Sequence, residues 1–168
     1  MKSIHFLVSS RPDKPELGYG DHVLVYDNGK PVYDSHASTC PNPYKVNDKG
    51  FPIPWNLLYG WIADGEYSYK CIDHYKYGKC LVVNGGYKVL SRVPNPNHGR
   101  QYYLEEVFVH SGAFGCKNQR WRGSAGCPTI PPWEWPDFIE KFDLGETGTL
   151  IVRPFIDGAA HLVDNVIS

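Results

Sequence analysis

Two short segments, Val109-His110-Ser111-Gly112 and Ser124-Ala125-Gly126-Cys127-Pro128, decide how the rest of this chain is interpreted. Residues 103–109 alternate apolar and β-favouring side chains, a pattern that predicts a strand ending at His110. Residues 111–123 are rich in Gly, Lys, Arg and Asn, which indicates an exposed loop. The chain then returns through small residues to Cys127. The spacing therefore predicts a histidine and a thiol at one end of a sheet.

A histidine beside a thiol can take its proton, and the thiolate that results is a nucleophile. Such a partner also lowers the pKa of the thiol, so we expect Cys127 to be the most reactive cysteine. Small residues before the thiol let backbone N–H groups approach an oxyanion. The competing interpretation is a core histidine and an inert buried cysteine that never meet.

This pattern resembles the catalytic domain of the L,D-transpeptidase family (YkuD type), in which a histidine precedes a Ser/Thr-His-Gly-Cys segment by a comparable interval. The resemblance implies that Cys127 is the nucleophile, His110 the general base, and Ser111 the residue whose backbone carbonyl orients the imidazole. Ser124 and Gly126 fill the family's positions before the thiol, where backbone N–H groups hold the oxyanion. The resemblance covers residues 21–153 and is strongest at 107–127.

Two positions depart from the family pattern. Ala125 stands where the family usually has a second histidine, and Thr129 stands where Asn or Arg commonly follows. Both changes leave the thiol and the imidazole in place, so they affect substrate contacts and reaction outcome. Trp121, Arg122 and Gly112 are further candidates for substrate contact, although a solvated loop arginine is an equal alternative for Arg122.

The composition indicates a single globular domain spanning residues 1–168. Seventeen basic and eighteen acidic side chains give a net charge of −1, and no basic run supports nucleic-acid binding. No apolar run approaches the ~18 residues of a membrane span. Residues 1–10 lack the apolar region of a secretion signal and predict a first strand. We expect a monomer.

The fold class predicted from these patterns is mainly β, a β-rich α+β fold. Asn28-Gly29 between two β-favouring runs specifies a tight type I′ hairpin. Residues 37–57 predict an irregular segment, residues 79–83 and 86–90 predict strands, and residues 94–100 predict a loop. Helical spacing of apolar residues after Pro131 predicts one short helix following the nucleophile. The resemblance adds the expectation of an L,D-transpeptidase-like β-sandwich.

Five cysteines leave at least one thiol free. Cys71 and Cys80 flank a turn and would pair if their strands are neighbours. A metal site of Cys71, His74 and Cys80 fits no standard zinc spacing, so we expect neither a metal nor a cofactor. Cys116 lies in the loop before Cys127 and is an alternative redox partner for it.

The resemblance implies acyl transfer on the stem peptides of bacterial peptidoglycan, through a thioester on Cys127. Water as the second nucleophile gives a carboxypeptidase or endopeptidase, the outcome expected here, and an amine gives a cross-link. A true L,D-transpeptidase and an inactive wall-binding module stay open as alternatives. Sortase-like enzymes place their histidine farther before the cysteine, and papain-like peptidases reverse the order. We expect synthesis in the cytoplasm and action in the periplasm or cell wall, as an endolysin or a delivered effector.

Overall fold

The computed structural model describes residues 1–9, 19–40, 60–112 and 126–156, and the backbone of 44–46 and 52–54. These residues form a mainly β structure with one short α-helix, which confirms the predicted fold class. The strands are β1 (Lys2–Val8), β2 (Asp21–Asp27), β3 (Lys30–Ala37), β4 (Tyr44–Val46), β5 (Pro52–Pro54), β6 (Gly65–His74), β7 (Gly78–Val83), β8 (Val89–Asn95), β9 (Gln101–Leu104), β10 (Phe108–Ser111), β11 (Thr129–Ile130) and β12 (Thr147–Pro154). The helix α1 spans Trp135–Ile139.

Local sequence chemistry explains the β2–β3 hairpin. Asn28 and Gly29 both have positive φ, 49° and 79°, as the two central residues of a type I′ turn require. The twist of such a turn matches that of the flanking strands, so β2 and β3 pair along their whole length. The predicted hairpin is confirmed.

One large sheet organises the fold. Its eight strands run in the order β11-β10-β7-β6-β12-β1-β2-β3. The two ends of the sheet meet, because Ser38 and Thr129 exchange backbone hydrogen bonds of 2.9 and 2.8 Å. The layers expected of a sandwich are therefore parts of one rolled sheet. The smaller sheets β4–β5 and β8–β9 lie outside this order.

The concave face of the rolled sheet encloses the main core. Alternate residues on each strand point inward, including fully buried Phe6, Val109 and Leu150. Helix α1 adds Phe138 to this core, and Phe142 follows from the turn after the helix. Burying one such ring contributes about 1.5–3 kcal/mol, so the helix is held to the sheet by its aromatic side chains.

The strand predicted over residues 103–109 is broken in the structure. Gln101–Leu104 pairs with β8, whereas Phe108–Ser111 pairs with β7. Glu106 lies between them with a φ of 52°, and its N–H donates to the Gly86 carbonyl at 3.0 Å. The apolar alternation continues across the break, so the pattern gives no sign of the single residue in the left-handed region that interrupts the strand.

Three further expectations on this side of the molecule need correction. The strand predicted at 86–90 begins only at Val89, after a 3-10 helix at Asn84–Gly86. The loop predicted at 94–100 holds the end of β8 and a 3-10 helix at Pro96–His98. The segment 37–57, predicted irregular, contains the β4–β5 pair, while residues 41–43, 47–51 and 55–57 lie outside the described residues.

Strand register excludes the cysteine pairing considered above. Cys71 lies opposite Leu81 and Cys80 opposite Ile72 on the neighbouring strand, so the two thiols point to opposite faces of the sheet. Both are free and fully buried. The same alternation separates Cys71 from His74, which removes the geometric basis of the Cys71–His74–Cys80 metal alternative. Within the described ranges, no helix has the length and apolar character needed to cross a membrane.

Candidate functional site

The outer face of the rolled sheet, turned away from the main core, holds His110. Val109 points inward and is fully buried, so His110 beside it points outward. Its Cα lies opposite Thr129 of the parallel neighbour β11. His110 is nonetheless only 3% exposed, which means that other groups cover it on this face.

Cys127 lies next to the same strand. Continuing the β10–β11 register by two residues brings it beside Phe108, and the Phe108 N–H donates to Cys127 Sγ at 3.5 Å. The thiol in turn lies 3.9 Å from the Glu106 carbonyl oxygen. With strands about 4.8 Å apart and a rise of about 3.3 Å per residue, the Cα atoms of His110 and Cys127 are roughly 8 Å apart. The fold thus places both on neighbouring segments at one site.

Backbone contact fixes the imidazole of His110. Its Nδ1 lies 2.8 Å from the Ser111 carbonyl oxygen, and a carbonyl only accepts, so Nδ1 carries the proton. In the neutral ring this leaves Nε2 as the acceptor. The Ser111 contact is the one that the resemblance implies for this position, and it orients a ring able to act as a base.

No hydrogen bond joins His110 to Cys127 in the described part of the structure; the thiol instead contacts Phe108 and Glu106. Burial raises the pKa of the Cys127 thiol, and the Phe108 N–H and the charge of Lys76 oppose that rise. This direction is opposite to the lowered thiol pKa expected from the sequence, because desolvation outweighs the neighbouring groups.

The imidazole is neutral at rest as well. Burial lowers the pKa of His110, the hydrogen bond to Ser111 opposes this, and the charge of Lys76 lowers it further. A neutral thiol and a neutral imidazole therefore face the site. In a reaction that used Cys127 as the nucleophile, proton transfer between them would accompany the attack rather than precede it, because catalytic hydrogen bonds often tighten only when substrate binds.

The β6–β7 turn, residues 75–77, is a part of the site that the sequence did not reveal. The Tyr77 ring stacks on the His110 ring, with centroids 4.3 Å apart and planes inclined by 11°. Lys76 Nζ lies 5.2 Å from the centroid of the Tyr77 ring. His74 and Phe108 complete an aromatic cluster with Tyr77. Nothing in the motif points to this turn, because only the pairing of β7 with β10 brings it to His110.

Gly126 allows the chain to pass close to its neighbours just before Cys127. Its φ of 126° is one that side-chain-bearing residues rarely adopt. A Cβ there would lie 2.8 Å from Leu104 Cδ2 and 3.1 Å from the Gly60 carbonyl oxygen. Glycine is therefore required where the chain turns to bring Cys127 alongside Phe108. This requirement agrees with the small residue noted before the thiol, while its oxyanion role stays an expectation.

Thr129 is a second residue whose position was not anticipated. It is fully buried, lies opposite His110, and its Oγ1 has no hydrogen-bond partner among the described residues. Paired residues on neighbouring strands share a face, so this hydroxyl points to the same side as the imidazole. An unsatisfied buried hydroxyl costs about 1–3 kcal/mol, which a substrate or water hydrogen bond would recover.

The remaining predicted site residues divide into two groups. Gly112 is buried; its N–H donates to the Ile130 carbonyl at 2.8 Å and its carbonyl accepts from Ser111 Oγ at 2.9 Å. The backbone of Gly112 is therefore engaged in holding the end of β10. Ser124, Trp121, Arg122, Ala125 and Cys116 lie outside the described residues.

A pocket of about 200 Å³ opens beyond the end of β10. Its lining consists of Tyr19, His36, Pro131, Trp133 and Glu134. The Tyr19 hydroxyl packs against Gly112, so the pocket begins two residues past His110 along the strand. Among the described residues, no group of three or more His, Cys, Asp and Glu side chains is arranged to hold a metal ion.

Comparison with models of known protein families, with curated proteins and with solved structures gives no match for this chain. The resemblance to the L,D-transpeptidases therefore depends on the motif residues alone.

Proposed function

We propose that the protein is a cysteine-dependent enzyme that cleaves the peptide stems of peptidoglycan in the periplasm or cell wall. Cys127 is the nucleophile and His110 the general base. The observation that supports this most directly is the Ser111 contact, which leaves Nε2 of His110 as an acceptor one strand away from the thiol. The geometry supports the reaction type, and the motif resemblance supplies the substrate class.

The reaction has two balanced halves. In the first, the thiol proton passes to Nε2 of His110 while Sγ of Cys127 bonds to the carbonyl carbon of the scissile amide. The C–N bond then breaks, and the imidazolium returns its proton to the leaving amine, which gives a thioester. In the second half, His110 takes a proton from water as the water attacks the thioester carbon. The C–S bond then breaks, the carboxylic acid leaves, and the imidazolium returns its proton to Sγ, which restores the thiol.

The surroundings of the thiol favour this course over a resting ion pair. Burial disfavours the thiolate in the free enzyme, so charge develops on sulfur only when a substrate carbonyl is present to receive it. The Phe108 N–H already points at Sγ and strengthens as a hydrogen bond when the sulfur becomes negative. This N–H orients the nucleophile and stabilises its charge.

Hydrolysis is the outcome we propose, in preference to cross-linking. Transpeptidation needs a second site that holds an acceptor amine and excludes water from the thioester. Thr129 presents a short hydroxyl next to His110 where the family pattern has a longer Asn or Arg. Thr129 is fully buried, so this position offers no side chain that could hold an acceptor peptide.

Digestion of purified peptidoglycan, followed by mass spectrometry of the soluble peptides, tests the proposal. We expect shortened or uncross-linked stems from the unaltered protein and none from Cys127→Ala or His110→Ala. Cys71→Ala is the matched control, because that thiol lies on the opposite, core-facing side of the sheet. New cross-links without cut peptides would instead identify a transpeptidase. Full activity of Cys127→Ala would exclude this residue as the nucleophile.

A wall-binding module without turnover is the second candidate function. It is favoured by the missing hydrogen bond between His110 and Cys127 and by the raised pKa of the thiol. An electrophile separates the two candidates: in an enzyme, Cys127 is labelled faster than the buried thiols and His110→Ala slows that labelling. Labelling that is independent of His110 would favour the binding module.

A further inference from the structure

We propose that Lys76, on the turn between β6 and β7, binds the free carboxylate of the substrate residue that leaves when Cys127 attacks. This inference rests on the proposed function. It adds the chemical group that the enzyme recognises on the leaving side of the scissile bond, and it assigns that recognition to a residue outside the His–Cys motif.

The turn that bears Lys76 is fixed against the base. The last pair of the hairpin, His74 opposite Gly78, closes it. Within the turn, the Lys76 N–H donates to His74 Nδ1 at 3.2 Å. The His74 ring packs on Phe108, with centroids 4.7 Å apart, and the Tyr77 ring lies flat on His110. Contacts on two sides therefore hold the turn at the site.

The ammonium group of Lys76 lies where both reacting groups experience its charge. Nζ is 5.2 Å from the Tyr77 ring centroid, and that ring is 4.3 Å from the His110 ring. Its positive charge acts on His110 and on Cys127, in each case as a smaller effect than burial. The ion pairs formed among the described residues involve other cations, so no carboxylate in that part of the chain neutralises Lys76.

The charge of Lys76 opposes one step of the proposed reaction unless an anion joins it. The general base must become an imidazolium during the reaction, and a neighbouring positive charge opposes that change. A substrate carboxylate on Lys76 would cancel this repulsion at the moment when His110 accepts a proton. The same carboxylate would gain a charge-assisted hydrogen bond to the ammonium. Both effects favour the binding of a substrate carboxylate by Lys76.

The covalent geometry of the leaving amino acid brings its carboxylate close to His110. His110 returns its proton to the leaving amine, so the amine nitrogen must lie at the imidazole. In an amino acid only Cα and the carboxyl carbon separate that nitrogen from the carboxylate oxygens, a distance of roughly 3–4 Å. The α-carboxylate of a C-terminal residue is thus close to His110, within the space that a flexible lysine above Tyr77 can reach.

A pair of peptides provides the test. The purified full-length protein is given two soluble stem tetrapeptides that differ only at the last residue, which is D-alanine with a free carboxylate or D-alaninamide. Release of the last residue is quantified by mass spectrometry to obtain kcat/KM for each peptide. The variants are Lys76→Met, which removes the charge, and Lys76→Arg, which keeps it. Lys79→Met is the control, because Lys79 lies on the same hairpin but points to the opposite face from Cys80.

We expect the unaltered protein to prefer the free carboxylate by roughly 10- to 100-fold, the effect of one charged hydrogen bond. Lys76→Met should lose this preference because its rate on the free carboxylate falls, whereas its rate on the amide should not fall, since the repulsion between Lys76 and the imidazolium is removed as well. Lys76→Arg and Lys79→Met should keep the preference. Equal, Cys127-dependent rates on both peptides in the unaltered protein would overturn the inference but leave the proposed function standing. An equal loss on both peptides in Lys76→Met would also overturn it. No Cys127-dependent release of the last residue from either peptide would overturn the inference, and the digestion of purified peptidoglycan then decides whether the proposed function stands.

Discussion

Replacing Gly126 by alanine tests how closely the chain packs against Leu104 and Gly60 just before Cys127. Two costs add in this variant. A side-chain-bearing residue held at a φ of 126° is strained by about 1–3 kcal/mol. The new Cβ would also lie 2.8 Å from Leu104 Cδ2 and 3.1 Å from the Gly60 carbonyl oxygen. Overpacking of this kind costs about 1–3 kcal/mol, so we expect a total destabilisation of about 2–6 kcal/mol.

The assay is urea unfolding followed by tryptophan fluorescence, with a matched glycine as control. Gly29 also has a positive φ, 79°, but a Cβ there meets no atom within 4 Å. Gly29→Ala therefore reports the backbone strain alone, at about 1–2 kcal/mol. The excess of Gly126→Ala over Gly29→Ala contains the clash and the difference in strain between the two φ angles. Adding Leu104→Ala in a double-mutant cycle isolates the side-chain part of the clash. Equal losses in Gly126→Ala and Gly29→Ala, within about 0.5 kcal/mol, would refute the tight approach of Gly126 to Leu104 and Gly60.

Two further predictions concern the ring stack and the buried thiols. Tyr77→Ala should lower kcat for stem-peptide cleavage roughly tenfold with little change in KM, because the His110 imidazole loses the ring that restrains it. Tyr77→Phe keeps that ring and should stay near the unaltered rate. An unchanged kcat in Tyr77→Ala would show that the Ser111 contact alone positions His110. Burial raises the pKa of Cys80 to about 11, so on going to alkaline pH its thiol ionises at a lower pH in the unfolded chain than in the folded one. The free energy of unfolding should therefore fall as the pH rises from about 8.5, the ordinary pKa of a thiol, toward 11. Tyrosines also begin to ionise near pH 10, so the clearest comparison lies below that pH, where Cys80→Val should show a smaller fall. A fall of the same slope in Cys80→Val would contradict this assignment.

Local rules in the sequence were enough for several parts of the fold. Asn28-Gly29 specified its hairpin, because few residue pairs accept two successive positive φ angles. Apolar spacing after Pro131 located the helix, which is real but ends at Ile139. In both cases the deciding pattern lies within a few residues along the chain.

Tertiary structure decided what surrounds the candidate nucleophile. Tyr77 and Lys76 reach His110 only because β7 pairs with β10, and Thr129 lies opposite His110 only because β11 pairs with β10. The same dependence on pairing put Cys71 and Cys80 on opposite faces, although their strands are neighbours as supposed. A shift of one residue in register turns every side chain of a strand to the other face. Register depends on which surfaces can be buried together across the whole rolled sheet. A local pattern therefore identifies the His and Cys segments, but it does not determine which residues stand beside them.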